Sequence, residues 1–180
     1  MFGRIDVLVN NAGVRSPPMS TEEYDEGKFL EMWNTNFMGT LYMTLAALPH
    51  LKQTKGSIIN ISSASGFANS IVGSTFYAIS KAAVIVFTKR LAIEVGKYGI
   101  RANAVAPGPI KTAMSMKGKI GEEAEKLQKL YESQSMLGIL GQPEHVAGVI
   151  TFLASKSADY ITGQVIVPDG GKWDYLSRGG

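Results

Sequence analysis

A tyrosine and a lysine at helical spacing are the residues of this chain best suited to acid–base chemistry. Tyr77 and Lys81 stand four positions apart in the run Tyr-Ala-Ile-Ser-Lys, so on a helix they share one face, one turn apart. An ammonium close to a phenol favours the phenolate and lowers a pKa that is otherwise about 10. The pair therefore predicts a tyrosine that gives or takes a proton near neutral pH.

A hydroxyl and an amide elsewhere in the chain would complete such a site. Reduction of a carbonyl by hydride needs an acid for the developing alkoxide and a second group that holds the carbonyl oxygen. Ser63 follows an apolar run typical of a strand and is placed to donate that second hydrogen bond. Asn36, on a long helical pattern, could anchor a water that connects Lys81 to solvent. Taken singly, each residue also fits an ordinary structural role, so it is their combination that carries the prediction.

Short β-rich apolar runs alternate with long helical patterns along the chain. Strands are predicted over residues 5–10, 56–62, 100–106 and 164–167. Helices are predicted to begin at Ser20 or Thr21, to show one apolar face over 29–51, and to cover 75–97, 121–133 and about 143–154. This alternation is typical of βαβ units, so the predicted fold class is α/β: half of a doubly wound parallel sheet with flanking helices.

Ser63 and two further segments with residues suited to chemistry fall where the predicted strands end. These ends are residues 10–13, 62–66 and 106–112. In open α/β sheets, ligands bind beyond the carboxyl ends of the strands, so the pattern predicts a binding cleft there. No glycine-rich Gly-x-Gly-x-x-Gly turn follows any predicted strand, so the turn that would receive a pyrophosphate is missing.

The composition excludes several other classes of function. The chain has 180 residues and no cysteine, which rules out disulfides, zinc–thiolate sites and cysteine nucleophiles and favours a cytoplasmic location. Two histidines argue against a metal site. The net charge of +3 is scattered rather than clustered, so no nucleic-acid partner is expected. No apolar run approaches the roughly 18 residues of a membrane span, so no membrane partner is expected either.

Taken together, these motifs resemble the short-chain dehydrogenase/reductase family. The order is Asn-Asn-Ala-Gly after one strand, Ser-Ser after the next, Tyr-x-x-x-Lys on the following helix and Pro-Gly after the third strand. The branch that includes 3-oxoacyl-carrier-protein reductases and many alcohol dehydrogenases is the most similar, and the resemblance covers essentially the whole chain. It implies the C-terminal half of a Rossmann-type sheet and an oxidoreductase that acts on a small alcohol or ketone.

The resemblance also implies a role for each matching position. Tyr77 fits the acid/base tyrosine, Lys81 its lysine, Ser63 the catalytic serine and Asn36 the helix asparagine of the relay. The implied cofactor is NAD or NADP, and the sequence does not choose between them. The positions that match the cofactor-binding segments of the family are Asn10, Ala12, Gly13, Tyr77, Lys81, Pro107, Gly108, Ile110 and Thr112.

Some positions depart from the family pattern. Ser63 and Tyr77 are 14 positions apart, one more than is usual, which we interpret as an extra loop residue between Gly66 and Thr75; Ser62 and Ser65 are the alternatives for the serine. Residues 112–142 match the substrate lid, but Met136 and Ile139 stand where Pro and Arg are usual, which predicts a differently shaped lid. Its methionines suit a moderately hydrophobic carbonyl or simply face the core.

The start of the chain falls within the domain of the family. Residues 1–6 resemble the approach to the fourth strand of the complete fold, so we expect a single partial domain over 1–180 that lacks the N-terminal dinucleotide-binding half. Residues 5–9 should then form an exposed sheet edge, and this polypeptide alone should bind the cofactor weakly or not at all. A shortened gene model explains this, and so does a natural non-enzymatic relative that associates with full-length family members.

The two longest helical patterns bear on assembly. Family members are commonly homodimers or homotetramers that pack through helices equivalent to 29–51 and 75–97. Both patterns here have broad apolar faces, although burial within the monomer explains many of the same residues. We expect a homo-oligomer.

Overall fold

A four-stranded parallel sheet runs through the part of the chain that the computed structural model describes, namely residues 3–15, 17, 19–68, 74–116 and 118–172. Its strands are β1 (Val7–Asn10), β2 (Ser57–Ile61), β3 (Arg101–Val105) and β4 (Val165–Ile166), side by side in that order. Each pairs in parallel with its neighbour. The predicted parallel α/β architecture is confirmed, although β4 is only two residues long.

Helices connect the strands. The first connection is α1 (Glu26–Trp33), a π-helical segment (Asn34–Met38) and α2 (Gly39–Thr54). A single long helix, α3 (Thr75–Val95), joins β2 to β3. The third connection contains α4 (Ala113–Met116), α5 (Gly121–Ser133) and α6 (Pro143–Ala154). Short 3₁₀ turns cover Ala64–Phe67, Gly96–Tyr98 and Lys156–Ala158.

The predicted start of the first helix is wrong. Ser20 and Glu23 do exchange hydrogen bonds, with the Glu23 N–H donating to the Ser20 hydroxyl at 3.2 Å, but residues 21–23 form only a turn. The cap is Asp25, whose carboxylate accepts from the Lys28 N–H at 3.0 Å. An aspartate in extended conformation directly before a helix satisfies one of its free N–H groups, so the helix begins at Glu26.

The sheet carries a hydrophobic core on each face. Ile58 of β2 packs with Leu51 of α2 and Leu91 of α3, whereas its neighbour Ile59 packs with Leu153 of α6. Successive side chains of a strand point to opposite faces, so a fully buried strand such as β2 needs cover on both. Helices flank the sheet on both sides, as expected for the C-terminal half of a doubly wound fold.

Strand β1 forms one edge of the sheet. It pairs with β2, and within the described part of the chain no strand lies on its other side. Val7 and Val9 are 38% and 39% exposed there, so the predicted apolar edge is present. The predicted extra loop residue between Gly66 and Thr75 falls largely on residues 69–73, which lie outside the described residues.

The described residues contain neither a membrane-spanning helix nor a cluster of metal-binding side chains. No helix among them is both long and apolar enough to cross a bilayer. No group of three or more histidine, aspartate or glutamate side chains is placed to hold a metal ion in the same part of the chain.

Candidate active site

A cleft of about 620 Å³ opens at the carboxyl ends of β1, β2 and β3. Its walls come from the segments that follow these strands, from the first turns of α3, and from α4 and α6. The lining residues are Asn11, Ala12, Gly13, Ile61, Ser62, Ser63, Tyr77, Lys81, Pro107, Gly108, Ile110, Thr112, Met114, Pro143, Val146, Ala147 and Ile150. The predicted placement of a binding cleft at the strand ends agrees with this position.

Lys81 enters the cleft because it lies on the buried stripe of α3. That stripe continues through Val84, Thr88, Leu91 and Val95 at helical spacing and packs on the sheet. Lys81 is only 4% exposed, and its amine donates a 3.0 Å hydrogen bond to the carbonyl oxygen of Ile61 at the end of β2. Burial disfavours the ammonium and lowers the pKa of Lys81 to about 8, so the amine exchanges its proton near physiological pH.

Tyr77 lies one turn before Lys81 on the same face of α3. The Lys81 amine is 5.9 Å from the centroid of the tyrosine ring. Burial raises the pKa of Tyr77 above its ordinary value, although a hydrogen bond with Ser63 and the charge of Arg15 act in the opposite direction. The expectation that Lys81 lowers the pKa of Tyr77 is therefore wrong for this cleft, because desolvation of the phenol outweighs the groups that stabilise its anion.

Ser63 is the serine that the structure brings to Tyr77. It caps the 3₁₀ turn after β2, its oxygen accepting from the Ser65 N–H at 3.1 Å, and its hydroxyl hydrogen-bonds the tyrosine. Ser62 also borders the cleft, but its hydroxyl donates to the carbonyl oxygen of Lys81 at 2.7 Å. Ser65 lines a separate cavity of about 280 Å³. The geometry thus favours Ser63 over both alternatives.

Asn36 sits inside the π-helical segment between α1 and α2 and is 1% exposed. Its amide N–H groups donate to the Val14 carbonyl and to the Ser80 hydroxyl, both at 3.0 Å. Its oxygen accepts from the Val14 N–H at 2.8 Å, which leaves one lone pair free for a further donor. A Cβ on Gly13 would lie 3.2 Å from both this oxygen and the Lys81 amine, so the two polar groups face the same small space.

The predicted cofactor-binding residues divide into two groups. Ala12, Gly13, Pro107, Gly108, Ile110 and Thr112 all line the cleft together with Tyr77 and Lys81. Asn10 is instead buried beneath it, where its side-chain amide donates to the side-chain oxygen of Asn60 at 2.8 Å and to the Thr44 hydroxyl at 3.1 Å. The structure therefore gives Asn10 a role in tying β1 to β2 and α2.

Several lining residues were missed by the sequence reasoning. Asn11 borders the cleft where Asn10 was expected, and the α6 residues Val146, Ala147 and Ile150 also line it, although the sequence predicted no part for this helix. From residues 112–142, the predicted lid, Thr112 and Met114 line the cleft. Pro143 is the sequence signal for this helix, because proline is common in the first turn of a helix and here it directly follows the lid. A helix that begins there could have been expected to border the same cleft as the lid.

Comparison with known proteins places this cleft in a family context. A family model described as enoyl-(acyl carrier protein) reductase matches residues 1–172. The chain is similar to the 7α-hydroxysteroid dehydrogenase of Bacteroides fragilis, with 43% identity over 94% of the chain and 65% of that protein. It is similar to the 3-oxoacyl-(acyl-carrier-protein) reductase FabG of Thermotoga maritima, with 45% identity over 94% of the chain and 67% of that protein.

A solved structure shows the same architecture. The short-chain dehydrogenase/reductase of unknown function from Caenorhabditis elegans, crystallised with its cofactor, superposes with a TM-score of 0.87 at 36% identity, over 95% of this chain and 66% of that one. The chain thus spans about two thirds of the length of the proteins it matches.

Proposed function

This chain belongs to the short-chain dehydrogenase/reductase family, and on that premise we propose that its cleft serves the transfer of hydride between NAD or NADP and a small alcohol or carbonyl compound. The observation that carries the proposal is the convergence of Tyr77, Ser63 and Lys81 on one cleft. They are an acid, an oxygen-orienting donor and a buried amine with a pKa of about 8.

The residues of the cleft fit a nicotinamide cofactor. Part of the lining consists of residues with small or compact side chains, namely Ala12, Gly13, Pro107 and Gly108. A flat ring can therefore lie close to the backbone at these positions. A side chain on Gly13 would fill the space beside the Lys81 amine, which the glycine leaves open. The cofactor would be held by these residues together with Tyr77, Lys81, Ile110 and Thr112. When bound, it supplies or accepts the hydride.

Tyr77 is the proposed acid of the reduction. Its raised pKa keeps the phenol protonated at neutral pH, so it can give its proton to the carbonyl oxygen as hydride reaches the carbon. The Ser63 hydroxyl would donate a second hydrogen bond to the same oxygen and favour the developing alkoxide. In the opposite direction, the alcohol proton returns to the phenolate.

Lys81 and Asn36 would return a proton to Tyr77 after each reduction. The lysine amine exchanges its proton readily because its pKa is about 8. The Asn36 oxygen, which accepts one hydrogen bond from the described residues, borders the same space beside Gly13 as that amine. A water held there would link the amine to solvent, so the pair supports the proposed proton relay.

Replacement of the tyrosine tests the proposal. The variant Tyr77→Phe should reduce a panel of aldehydes and ketones with NADH or NADPH about 10²- to 10⁴-fold more slowly, because the general acid is lost. Tyr160→Phe is the matched control, since Tyr160 is fully exposed and distant from the cleft lining. Undiminished turnover by Tyr77→Phe would rule out the proposed acid.

Cofactor affinity, carbonyl turnover and association with a full-length relative together separate this proposal from a non-enzymatic role. We propose that the isolated chain binds NAD(H) and NADP(H) weakly, because no glycine-rich turn for the pyrophosphate occurs in its sequence. Calorimetry with both cofactors measures this, and a micromolar dissociation constant for the isolated chain would contradict it. A chain that binds no cofactor and turns over no carbonyl, yet associates with a full-length relative, would support the non-enzymatic alternative.

An exposed stripe on α3 favours a homodimer or homotetramer. Ile79, Val86 and Ile93 recur every seven residues and are 45%, 61% and 69% exposed, and Tyr42 and Met43 of α2 are also exposed. Apolar residues repeated along one helix face are typical of a helix–helix interface. Light scattering should show an oligomer that Val86→Glu dissociates; a stable monomer would contradict the proposal.

A further inference from the structure

Arg15 lies beside the candidate active site, next to a residue whose backbone is anchored. Its neighbour Val14 is held on both backbone groups by buried Asn36, whose oxygen accepts from the Val14 N–H at 2.8 Å and whose amide donates to the Val14 carbonyl at 3.0 Å. The backbone directly before Arg15 is therefore anchored to the π-helical segment. The guanidinium carbon of Arg15 lies 6.0 Å from the centroid of the Tyr77 ring.

The charge of Arg15 is not matched by a described acidic residue. Five ion pairs join described side chains, and none includes Arg15. Its side chain also makes no hydrogen bond to another described residue, and 6.0 Å is the outer limit of a cation–π contact. Arg15 is exposed, so its N–H groups are open to a molecule in the cleft.

The cleft itself has no group that would repel an anion. Among the residues of its wall, Lys81 is the only one with an ionisable basic side chain, and none is aspartate or glutamate. A substrate with a negative group near its carbonyl would therefore meet Lys81 at the wall, Arg15 beside Tyr77, and no carboxylate among the lining residues. A guanidinium binds a carboxylate through two parallel N–H donors, which fixes orientation as well as charge.

We propose that Arg15 is a specificity residue that binds a carboxylate of the substrate, placed a few bonds from the carbonyl carbon that is reduced. The inference rests on the proposed function and names its substrate class: short oxo acids, or the corresponding hydroxy acids in the oxidative direction. The separation follows from the geometry, because one small molecule must reach both the Tyr77 phenol and a guanidinium 6.0 Å from its ring. The reduction balances as hydride to the carbonyl carbon and the Tyr77 proton to its oxygen.

Pairs of acids and esters test the inference. Pyruvate, acetoacetate and levulinate differ in the distance from carbonyl to carboxylate, and each is compared with its methyl ester. The chain should reduce at least one acid with a kcat/KM about tenfold or more above its ester. In Arg15→Gln this ratio should fall to about one because the KM of the acid rises, while any change in the acidity of Tyr77 affects acid and ester alike and cancels in the ratio. Arg15→Lys should retain part of the preference.

An exposed arginine on α3 provides the control for Arg15. Arg90→Gln removes an exposed arginine from α3 away from the cleft and should leave every ratio unchanged. Equal acid-to-ester ratios in the wild type and Arg15→Gln would overturn the inference while the ester turnover still supports the proposed function. If no compound is turned over, ligand-observed NMR decides: binding of an acid but not its ester, lost in Arg15→Gln, supports the carboxylate site, and equal binding overturns it.

Discussion

The amine of Lys81 donates a 3.0 Å hydrogen bond to the carbonyl oxygen of Ile61. Ile61 is the last residue of β2, so the bond fixes the lysine at the edge where the strand ends and the cleft begins. One of the three ammonium donors is satisfied by this carbonyl, and the amine also borders the space beside Gly13 and Asn36. Burial with a single observed partner is the reason that the pKa of Lys81 falls to about 8.

The first prediction concerns the pH dependence of stability. The pKa of Lys81 is about 8 in the fold and 10.5 ordinarily, so between these values the unfolded chain binds a proton that the folded chain does not. Stability from this residue therefore rises with pH over that interval, and the cost of the buried ammonium is fully present below pH 8. Relative to Lys81→Met, the wild type should gain about 2 kcal/mol of unfolding free energy between pH 7 and pH 10.

Urea denaturation of both proteins at the two pH values measures that gain. Lys89→Met is the control, because Lys89 is exposed on the same helix and should show no comparable pH dependence. A constant difference between wild type and Lys81→Met would mean that Lys81 titrates in the fold as it does in the unfolded chain.

The sequence motifs predicted which side chains lie together at the cleft, but not the direction in which the pKa of Tyr77 is shifted. Spacing places Tyr77 and Lys81 on one helix face, and strand order brings Ser63 to them, because the carboxyl ends of parallel strands lie at one edge of a sheet. The direction of the Tyr77 pKa depends instead on how much water remains around the phenol. That quantity comes from packing across the cleft, which no local pattern encodes.

Neighbouring positions show the same limit. Asn10 and Asn11 are identical in type, but the pleat of β1 turns the first into the core toward Asn60 and leaves the second at the cleft. The prediction of where the first helix begins was wrong for a related reason. Both Ser20 and Asp25 are good capping residues, and only the tertiary fold selects Asp25. Arg15 had no motif to mark it, and only the fold brings its guanidinium close to Tyr77.

The second prediction concerns the ionisation of Tyr77. The hydrogen bond with Ser63 and the charge of Arg15 both act to lower the pKa of Tyr77, while burial raises it. Removal of either favourable interaction, in Ser63→Ala or Arg15→Gln, should therefore raise that pKa further. The ultraviolet absorbance of tyrosinate, titrated in each variant and corrected with Tyr77→Phe, measures the change. A pKa that falls in either variant would show that the interaction favours the phenol instead.

The third prediction concerns the π-helical segment. Asn36→Ala should lower the unfolding free energy by about 2–4 kcal/mol, because it leaves the part-buried N–H and carbonyl of Val14 without their side-chain partner. Asn34→Ala, exposed in the same segment, should change it by no more than about 0.5 kcal/mol. Chemical denaturation compares them, and similar losses in both variants would assign the effect to the helix rather than to the Val14 bonds.

The fourth prediction concerns the space beside Gly13. An alanine Cβ there would lie 3.2 Å from the Asn36 oxygen and from the Lys81 amine, and the amine is the group that can move because it ends a flexible side chain. Gly13→Ala should therefore cost little stability but lower carbonyl turnover by about tenfold or more, since a small displacement at a reacting site has a large effect on rate. The added methyl also removes water from the amine, so the pKa of Lys81, followed by NMR of labelled lysine, should fall below its present value.

Gly148→Ala is the matched control for Gly13→Ala. Gly148 is exposed within α6, and an added Cβ meets no atom within 4 Å. The change should stabilise the helix by about 0.5–1 kcal/mol without altering turnover. Equal turnover in both glycine variants, with an unchanged lysine titration, would show that the gap between Asn36 and Lys81 has no part in the chemistry.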